Sequence, residues 1–322
     1  MKASELKEKV GDLRQLGCVR RIVLDDGVER GVRALAFSTG GGLDFWALAD
    51  RSLDIGPLWW RGRAVGWQGP TGFQHPDLHD RAAADDRGFN RSFSGFLVTC
   101  GLEHIRQPAN GHPLHGRLPF TPAHIMASGT DWERETPVLF CEGEVIQTHS
   151  GREHFRLRRR IEAPVGGGSL AIRDTVENLG AAPQHQASLY HFNIGFPALA
   201  DGVIVESGGR RLLGPLFVPD EAASREAMSR PIGVAGRAEC TVRAMPPDGA
   251  SVAVTFAWSA ATLPHLQLWH DLRPGRCVLS VEPCTSERLP GGLSGEEPML
   301  EPGEIRRYDL HVFVTANLQG QT

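Results

Sequence analysis

Leu189-Tyr190-His191-Phe192-Asn193-Ile194-Gly195 is the stretch on which the fold turns. Read as a strand, it sends Tyr190, Phe192 and Ile194 to one face and His191, Asn193 and Gly195 to the other. The first face is apolar and belongs in a core. The second carries groups that must meet a partner, water or a ligand, because burying them bare costs a few kcal/mol.

The same period of two recurs on both sides of this stretch. Val32–Phe37, Leu43–Ala49 and Leu53–Trp60 read as strands. Phe155, Leu157 and Ile161 share a face opposite Arg156, Arg158 and Arg160, and Leu170, Ile172 and Val176 share another. Val252, Val254, Phe256 and Trp258 alternate, as do Tyr308, Leu310, Val312 and Val314. Turn clusters at Gly40-Gly41-Gly42, Gly166-Gly167-Gly168, Pro246-Pro247-Asp248-Gly249 and Pro290-Gly291-Gly292 break the runs. With 38 glycines and 22 prolines in 322 residues, the chain reads as all-β, an antiparallel sandwich. Ser4 would cap a short N-terminal helix with Leu6, Val10 and Leu13 on one face, and Asp220 would cap a second helix reaching Ser229. Residues 1–20 form the helical segment of this reading and 21–322 a single β domain. The polar segment His75–Phe89 is expected as a long loop over a site.

Composition excludes several function classes. Thirty-four basic against 38 acidic residues give a net charge of −4, which offers no basic excess for nucleic acid. No apolar run is long enough to cross a bilayer. The charged opening MKASELKEKVGDLRQLG has no apolar signal core, which argues against export. None of the six cysteines sits in a CxxC pair. They are expected to be reduced, mostly buried thiols of a cytoplasmic protein. GxSxG and Walker A motifs are absent. His112-xx-His115 and His75-xxx-His79 lack further ligands at metal spacing, and no HxH occurs, so no metal is expected.

Chemistry is expected where ionisable groups interrupt one face of an apolar strand. In Leu279-Ser280-Val281-Glu282-Pro283-Cys284-Thr285, Ser280 and Glu282 oppose Leu279 and Val281. Pro283 would hold Glu282 extended at the strand end, where its carboxylate could serve as a base. In Leu266-Gln267-Leu268-Trp269-His270-Asp271, a tryptophan lies between hydrogen-bonding side chains, a platform suited to the C–H face of a sugar. In His112-Pro113-Leu114-His115-Gly116-Arg117, the glycine allows close backbone approach.

Together these segments resemble the galactose mutarotase (aldose 1-epimerase) superfamily. LYHFNIG is similar to its HxNxG segment, VEPCT to its late glutamate strand and LHGR to its His-Gly segment, in the same order. The set Arg51–Gly56, Thr99–Leu102, His115–Arg117, Asp174–Asn178, Tyr190–Asn193, Glu282–Thr285 and Leu300–Glu304 is similar to an aldose 1-epimerase-like branch described as a domain of unknown function. The resemblance implies a galactose mutarotase-like β-supersandwich with a sugar cleft on its concave face. It implies an isomerase of carbohydrate metabolism that interconverts sugar anomers without a cofactor. Glu282 would match the general base, His191 the general acid, and His115 the histidine near the ring oxygen. Asn193, Gln267, Trp269, Asp271, Arg51 and Arg117 are the further sugar-binding candidates.

Ring opening needs one group to take the O1 proton while another donates to O5, and a glutamate and a histidine held across one sugar ring suit that task. Arg51, Arg91 and Arg117, if they converge, would instead favour an epimerase, hydratase or lyase of a keto- or acidic sugar. A non-catalytic carbohydrate-binding protein would show aromatic platforms without an opposed acid and base. The expected partner is a small sugar or sugar derivative, and exposed sheet edges would support a homodimer.

Overall fold

A computed structural model describes residues 3–80, 83–150, 153–221, 226–233, 235–244 and 250–318. Among the described residues the expected alternation is realised as four antiparallel sheets. A nine-stranded sheet runs from Arg210–Leu216 at one edge to His124–Asp131 at the other, with Ala250–Ser259, Ile305–Leu318, Ser169–Asn178 and His154–Pro164 near its middle. A five-stranded sheet holds the N-terminal strands from Cys18–Val23 to Arg63–Ala64. A second five-stranded sheet has the order Glu226–Pro231, His265–Asp271, Val278–Cys284, Ala187–Gly195, Leu97–Leu102. Gln184–His185 and Met299–Leu300 form a small two-stranded sheet.

The apolar faces meet in one core. Phe37 and Phe45 enter it from the N-terminal sheet, Leu157, Ile172 and Phe256 from the nine-stranded sheet, and Tyr190, Phe192, Leu266, Leu268 and Val281 from the second five-stranded sheet. The other face of that last sheet carries a smaller cluster. There Val98, Cys100, Leu189 and Cys284 are covered by Phe89, Ile105, Leu114 and Phe120 of the connecting segments. The sheet that carries His191 and Glu282 is therefore packed on one face and roofed by loops on the other.

Charges at core-facing positions are paired. Arg159 shares the inward parity of Phe155, Leu157 and Ile161 and is almost wholly buried. Its Nε and Nη2 donate to Asp174 at 2.9 and 2.6 Å, and Nη1 donates to Asp54 at 3.2 Å. Tyr190 donates its hydroxyl to the same Asp174 at 2.7 Å. Burial disfavours the guanidinium charge, but Asp174 and Asp54 outweigh it and hold the proton more tightly than usual. On the outer face, Arg156, Arg158 and Arg160 pair with Glu177, Glu144 and Glu162.

Several expectations are corrected. The first helix spans only Ala3–Lys7 and buries no residue. Leu13 opens a separate 3-10 turn, capped where the Asp12 side chain accepts from Arg14 N. The expected helix over Asp220–Ser229 is not formed, because Glu226–Pro231 is a strand against His265–Asp271; residues 222–225 lie outside the described residues, as does the Pro246–Gly249 cluster. The alternation Ala227-Met228-Ser229 serves a strand as well as a helix, and pairing decides. Pro283 does not end its strand: it lies opposite Leu266, and pairing continues to Cys284 opposite His265. The segment after His75 is not all loop, since Pro76–Leu78 is a 3-10 turn and Arg87–Ser92 a short helix. All six cysteines are unpaired. Among the described residues no helix is long and apolar enough to cross a membrane.

Candidate active site

Strand register builds the site. Gln267 lies opposite Glu282, and Trp269 opposite Ser280. On the other side of the Glu282 strand, Asn193 lies opposite Ser280, Phe192 opposite Val281 and Leu189 opposite Cys284. That register sets His191 opposite Glu282. Two neighbouring rows therefore cross three strands on one face, Gln267–Glu282–His191 and Trp269–Ser280–Asn193. The first row carries the ionisable pair and the second supports it.

His191 is held by directed hydrogen bonds. Asn193 Nδ2 donates to the carbonyls of Gly95 at 2.9 Å and His191 at 3.1 Å, which turns its Oδ1 toward the imidazole. His191 Nδ1 lies 2.6 Å from that oxygen and must donate, since the amide oxygen only accepts. With Nδ1 donating to Asn193, Nε2 faces Glu282 Oε1 at 3.3 Å. Glu282 is fully buried. Its Oε1 accepts from Ser280 Oγ at 2.5 Å, and its Oε2 accepts from Gln267 Nε2. With that amide nitrogen committed, Gln267 Oε1 is left buried without a donor.

A cavity of about 350 Å³ opens over this row, lined by His115, His191, Gln267, Trp269 and Glu282 among others. This is within the usual range of small-ligand pockets, roughly 300–1,000 Å³. Phe93 stands edge-on to both His191 and Trp269, with ring centroids at 5.1 and 5.9 Å. Phe89 packs on His115 at 4.5 Å. His115 arrives from a tight turn in which it and Gly116 both have positive φ, 64° and 76°. A β-carbon at position 116 would stand 2.4 Å from the His104 carbonyl oxygen and 2.5 Å from that of Gly101. Only glycine fits there. His115 Nδ1 donates to the Ile105 carbonyl at 2.9 Å, so Nε2 is the free acceptor. Burial, followed by the neighbouring His191, holds its pKa well below the ordinary value of 6.5, which keeps the ring neutral.

Five of the nine candidates thus line one cavity: Glu282, His191, His115, Gln267 and Trp269. The other four do not. Asn193 lies behind His191, fully buried, and orients it rather than contacting the cavity. Asp271 lines a neighbouring cavity of about 650 Å³ that shares Asn90, Phe93 and Trp269 with the first, and its carboxylate is forked by Arg273 at 2.8 and 2.7 Å. Arg51 is buried away from the cavity, near Asp54. Arg117 is turned back by the turn after Gly116: its backbone N–H donates to Glu103 at 3.0 Å and its Nη2 to the Gly111 carbonyl at 3.1 Å. Arg51, Arg91 and Arg117 do not converge, since Arg91 lines the neighbouring cavity and the other two line neither.

Residues 29–226 match the sequence profile of the family described as a domain of unknown function, DUF4432. The chain belongs to the DUF4432 family. The matched segment holds His115 and His191, while Glu282 lies beyond it. The DUF4432 chain has no match among curated proteins. Its fold is that of galactose mutarotase-like proteins. A candidate aldose 1-epimerase from Klebsiella pneumoniae superposes with a TM-score of 0.80 at 17% identity, over 98% of this chain and 86% of that one. A galactose mutarotase-like protein from Clostridium acetobutylicum gives 0.64 at 14% identity, over 92% and 98%. One from Lactobacillus casei gives 0.53 at 13%, over 92% and 100%.

Sequence reading missed the cavity residues supplied by the segments that connect the strands. Asn90 and Phe93 come from the segment 87–93, Arg106 and Gln107 from the loop after the Leu97–Leu102 strand, and Arg288 from the loop after Cys284. None follows a period of two, so alternation carries no signal for them.

Proposed function

We propose that this DUF4432 protein is a carbohydrate isomerase of the aldose 1-epimerase type, which interconverts the anomers of a sugar by acid and base catalysis. One observation carries the reading: His191 Nε2 and Glu282 Oε1 lie 3.3 Å apart on the floor of a monosaccharide-sized cavity, each held by its own partners. Glu282 takes the O1 proton as the C1 carbonyl forms. The C1–O5 bond breaks, and O5 receives the Nε2 proton of His191, whose ring enters the step protonated on both nitrogens. Rotation about C1–C2 and the reverse transfers close the other anomer. Each positioned transfer typically contributes about 10²–10⁴ in rate.

The pair was expected to face each other across a sugar ring, and this geometry modifies that picture. The two groups touch, so the sugar lies above them with its two geminal oxygens, O1 and O5, directed down at the pair. Ser280 and Gln267 donate to the Glu282 carboxylate and orient it. Gln267 Oε1 and His115 Nε2 are the acceptors for sugar hydroxyls, and the Trp269 ring offers an apolar face beside them.

The contact between acid and base also suits a second reading, in which the same pair moves a proton on carbon in an epimerase, hydratase or lyase. Exchange NMR of anomer interconversion, run across hexoses, pentoses, uronates and sulfonated sugars, separates the two. The isomerase reading expects accelerated exchange for at least one sugar, lost in Glu282→Gln. A sugar that is instead epimerised, hydrated or eliminated establishes the second reading. Binding of a sugar without chemical change in any member of the panel would leave a carbohydrate-binding protein and sink both.

A further inference from the structure

Arg51, Arg106 and Arg159 are each only 2% exposed, but their charges are met differently. Arg159 has Asp54 and Asp174. Arg51 has Asp54 as an electrostatic neighbour. Arg106 donates Nη2 to the Ser286 carbonyl at 2.5 Å and approaches Cys284 Sγ at 3.5 Å, and neither partner carries a formal charge. Its Nε and Nη1 are buried without an acceptor. Among the described residues no carboxylate stands within ion-pair distance of it. Glu297 feels its field but makes no ion pair with it. A buried guanidinium with three unused N–H groups and no counter-charge is costly, and a neutral acceptor would leave the charge unmet.

Arg106 lines the His191–Glu282 cavity, and so does Arg288, a second arginine without an acidic partner among the described residues. The corner between them is kept open by Gly292, at φ +78°. A β-carbon there would stand 2.5 Å from Gln107 Cγ and 3.0 Å from Arg288 Nη2. The Gln107 N–H donates to the Gly292 carbonyl at 3.1 Å, which ties the two loops together at this corner.

We propose that the sugar this cavity takes carries an anionic substituent, a carboxylate, sulfonate or phosphate, received by Arg106 with Arg288. The inference rests on reading the cavity as a sugar site and deepens it by naming the substrate class. Guanidinium N–H groups match the oxygens of all three substituents with charge-assisted hydrogen bonds.

Calorimetric titration of the purified full-length protein with matched pairs tests the proposal: glucose against glucuronate, glucose 6-phosphate and 6-deoxy-6-sulfoglucose, and galactose against galacturonate. At least one acidic sugar is expected to bind about tenfold or more tightly than its neutral parent. The difference should shrink in Arg288→Gln and vanish in Arg106→Gln. Which acidic sugar wins identifies the substituent. If no acidic sugar binds more tightly than its parent, or the preference survives in both variants, the proposal is overturned. Should Arg106→Gln fail to fold, the wild-type preference and the response of half-buried Arg288→Gln still decide it. Anomer exchange on the same panel is a separate readout. Preference without exchange removes the isomerase and leaves the anion site, whereas exchange without preference does the reverse.

Discussion

Replacing Asn193 by alanine removes no group that could touch a sugar, yet it should disable the site. Asn193 is fully buried and makes three hydrogen bonds: it accepts from His191 Nδ1 at 2.6 Å and donates to the carbonyls of Gly95 and His191 at 2.9 and 3.1 Å. Two consequences differ in size. The Gly95 carbonyl loses its donor and a small void opens, which should cost about 1–3 kcal/mol of stability. Freed from Asn193, the ring loses the hydrogen bond that fixes Nδ1 and turns about χ2, so Nε2 no longer directs its proton toward the reacting oxygen. The rate loss should then approach the whole contribution of a general acid, about 10²–10⁴. Binding should change far less, because Gln267, Trp269 and His115 are untouched. The assay joins anomer exchange on the chosen sugar, thermal unfolding, and nitrogen chemical shifts of the His191 ring, which report its Nδ1 hydrogen bond and protonation independently of activity. A folded Asn193→Ala protein with wild-type exchange and an unchanged Nδ1–H signal would refute the reasoning.

Other positions give sharper structural tests. Gly116→Ala meets both a left-handed backbone and carbonyl oxygens at 2.4 and 2.5 Å; it should lose about 2 kcal/mol or more, measured by urea unfolding, and should displace His115. Asp174→Ala takes from buried Arg159 the partner that meets two of its nitrogens and leaves it Asp54 alone, and a loss of about 3 kcal/mol in the same assay is expected of a broken buried pair. Glu103 tests pH dependence: burial pushes its carboxyl up from 4.5 to about 8, despite the Arg117 contact. Since the folded state binds this proton more tightly than the unfolded chain, the stability it contributes is present below pH 4.5 and lost as pH rises through about 8. Urea midpoints across that window should fall more steeply for the wild type than for Glu103→Gln, and parallel slopes would count against the assignment.

What was legible in the sequence was whatever obeys the period of two. The alternation in 189–195, 266–271 and 279–285 sets His191, Gln267 with Trp269, and Glu282 each on the face of its own strand opposite the aliphatic residues, without any knowledge of pairing. Which residue opposes which was not legible, because register is set by contacts between segments far apart in the chain. The contact between His191 and Glu282, and the supporting row of Asn193, Ser280 and Trp269, therefore emerged only from the fold. One signal was present and unread. Arg159 and Asp174 share the inward parity of their apolar neighbours, and complementary charges at core positions of adjacent strands announce a buried pair. Arg117 misled for a local reason. It follows Gly116, but the positive-φ turn that delivers His115 to the cavity sends the next side chain back toward Glu103. Arg106 and Arg288 belong to loops, whose direction no periodicity encodes.

If His191 and Glu282 work as one unit on one sugar, their losses cannot multiply. Exchange NMR on wild type, Glu282→Gln, His191→Asn and the double variant measures this directly. The double variant should be no slower than about the worse single one, as for groups that act only together. Losses that multiply across the two folded single variants, or a wild-type rate retained in either, would contradict the account.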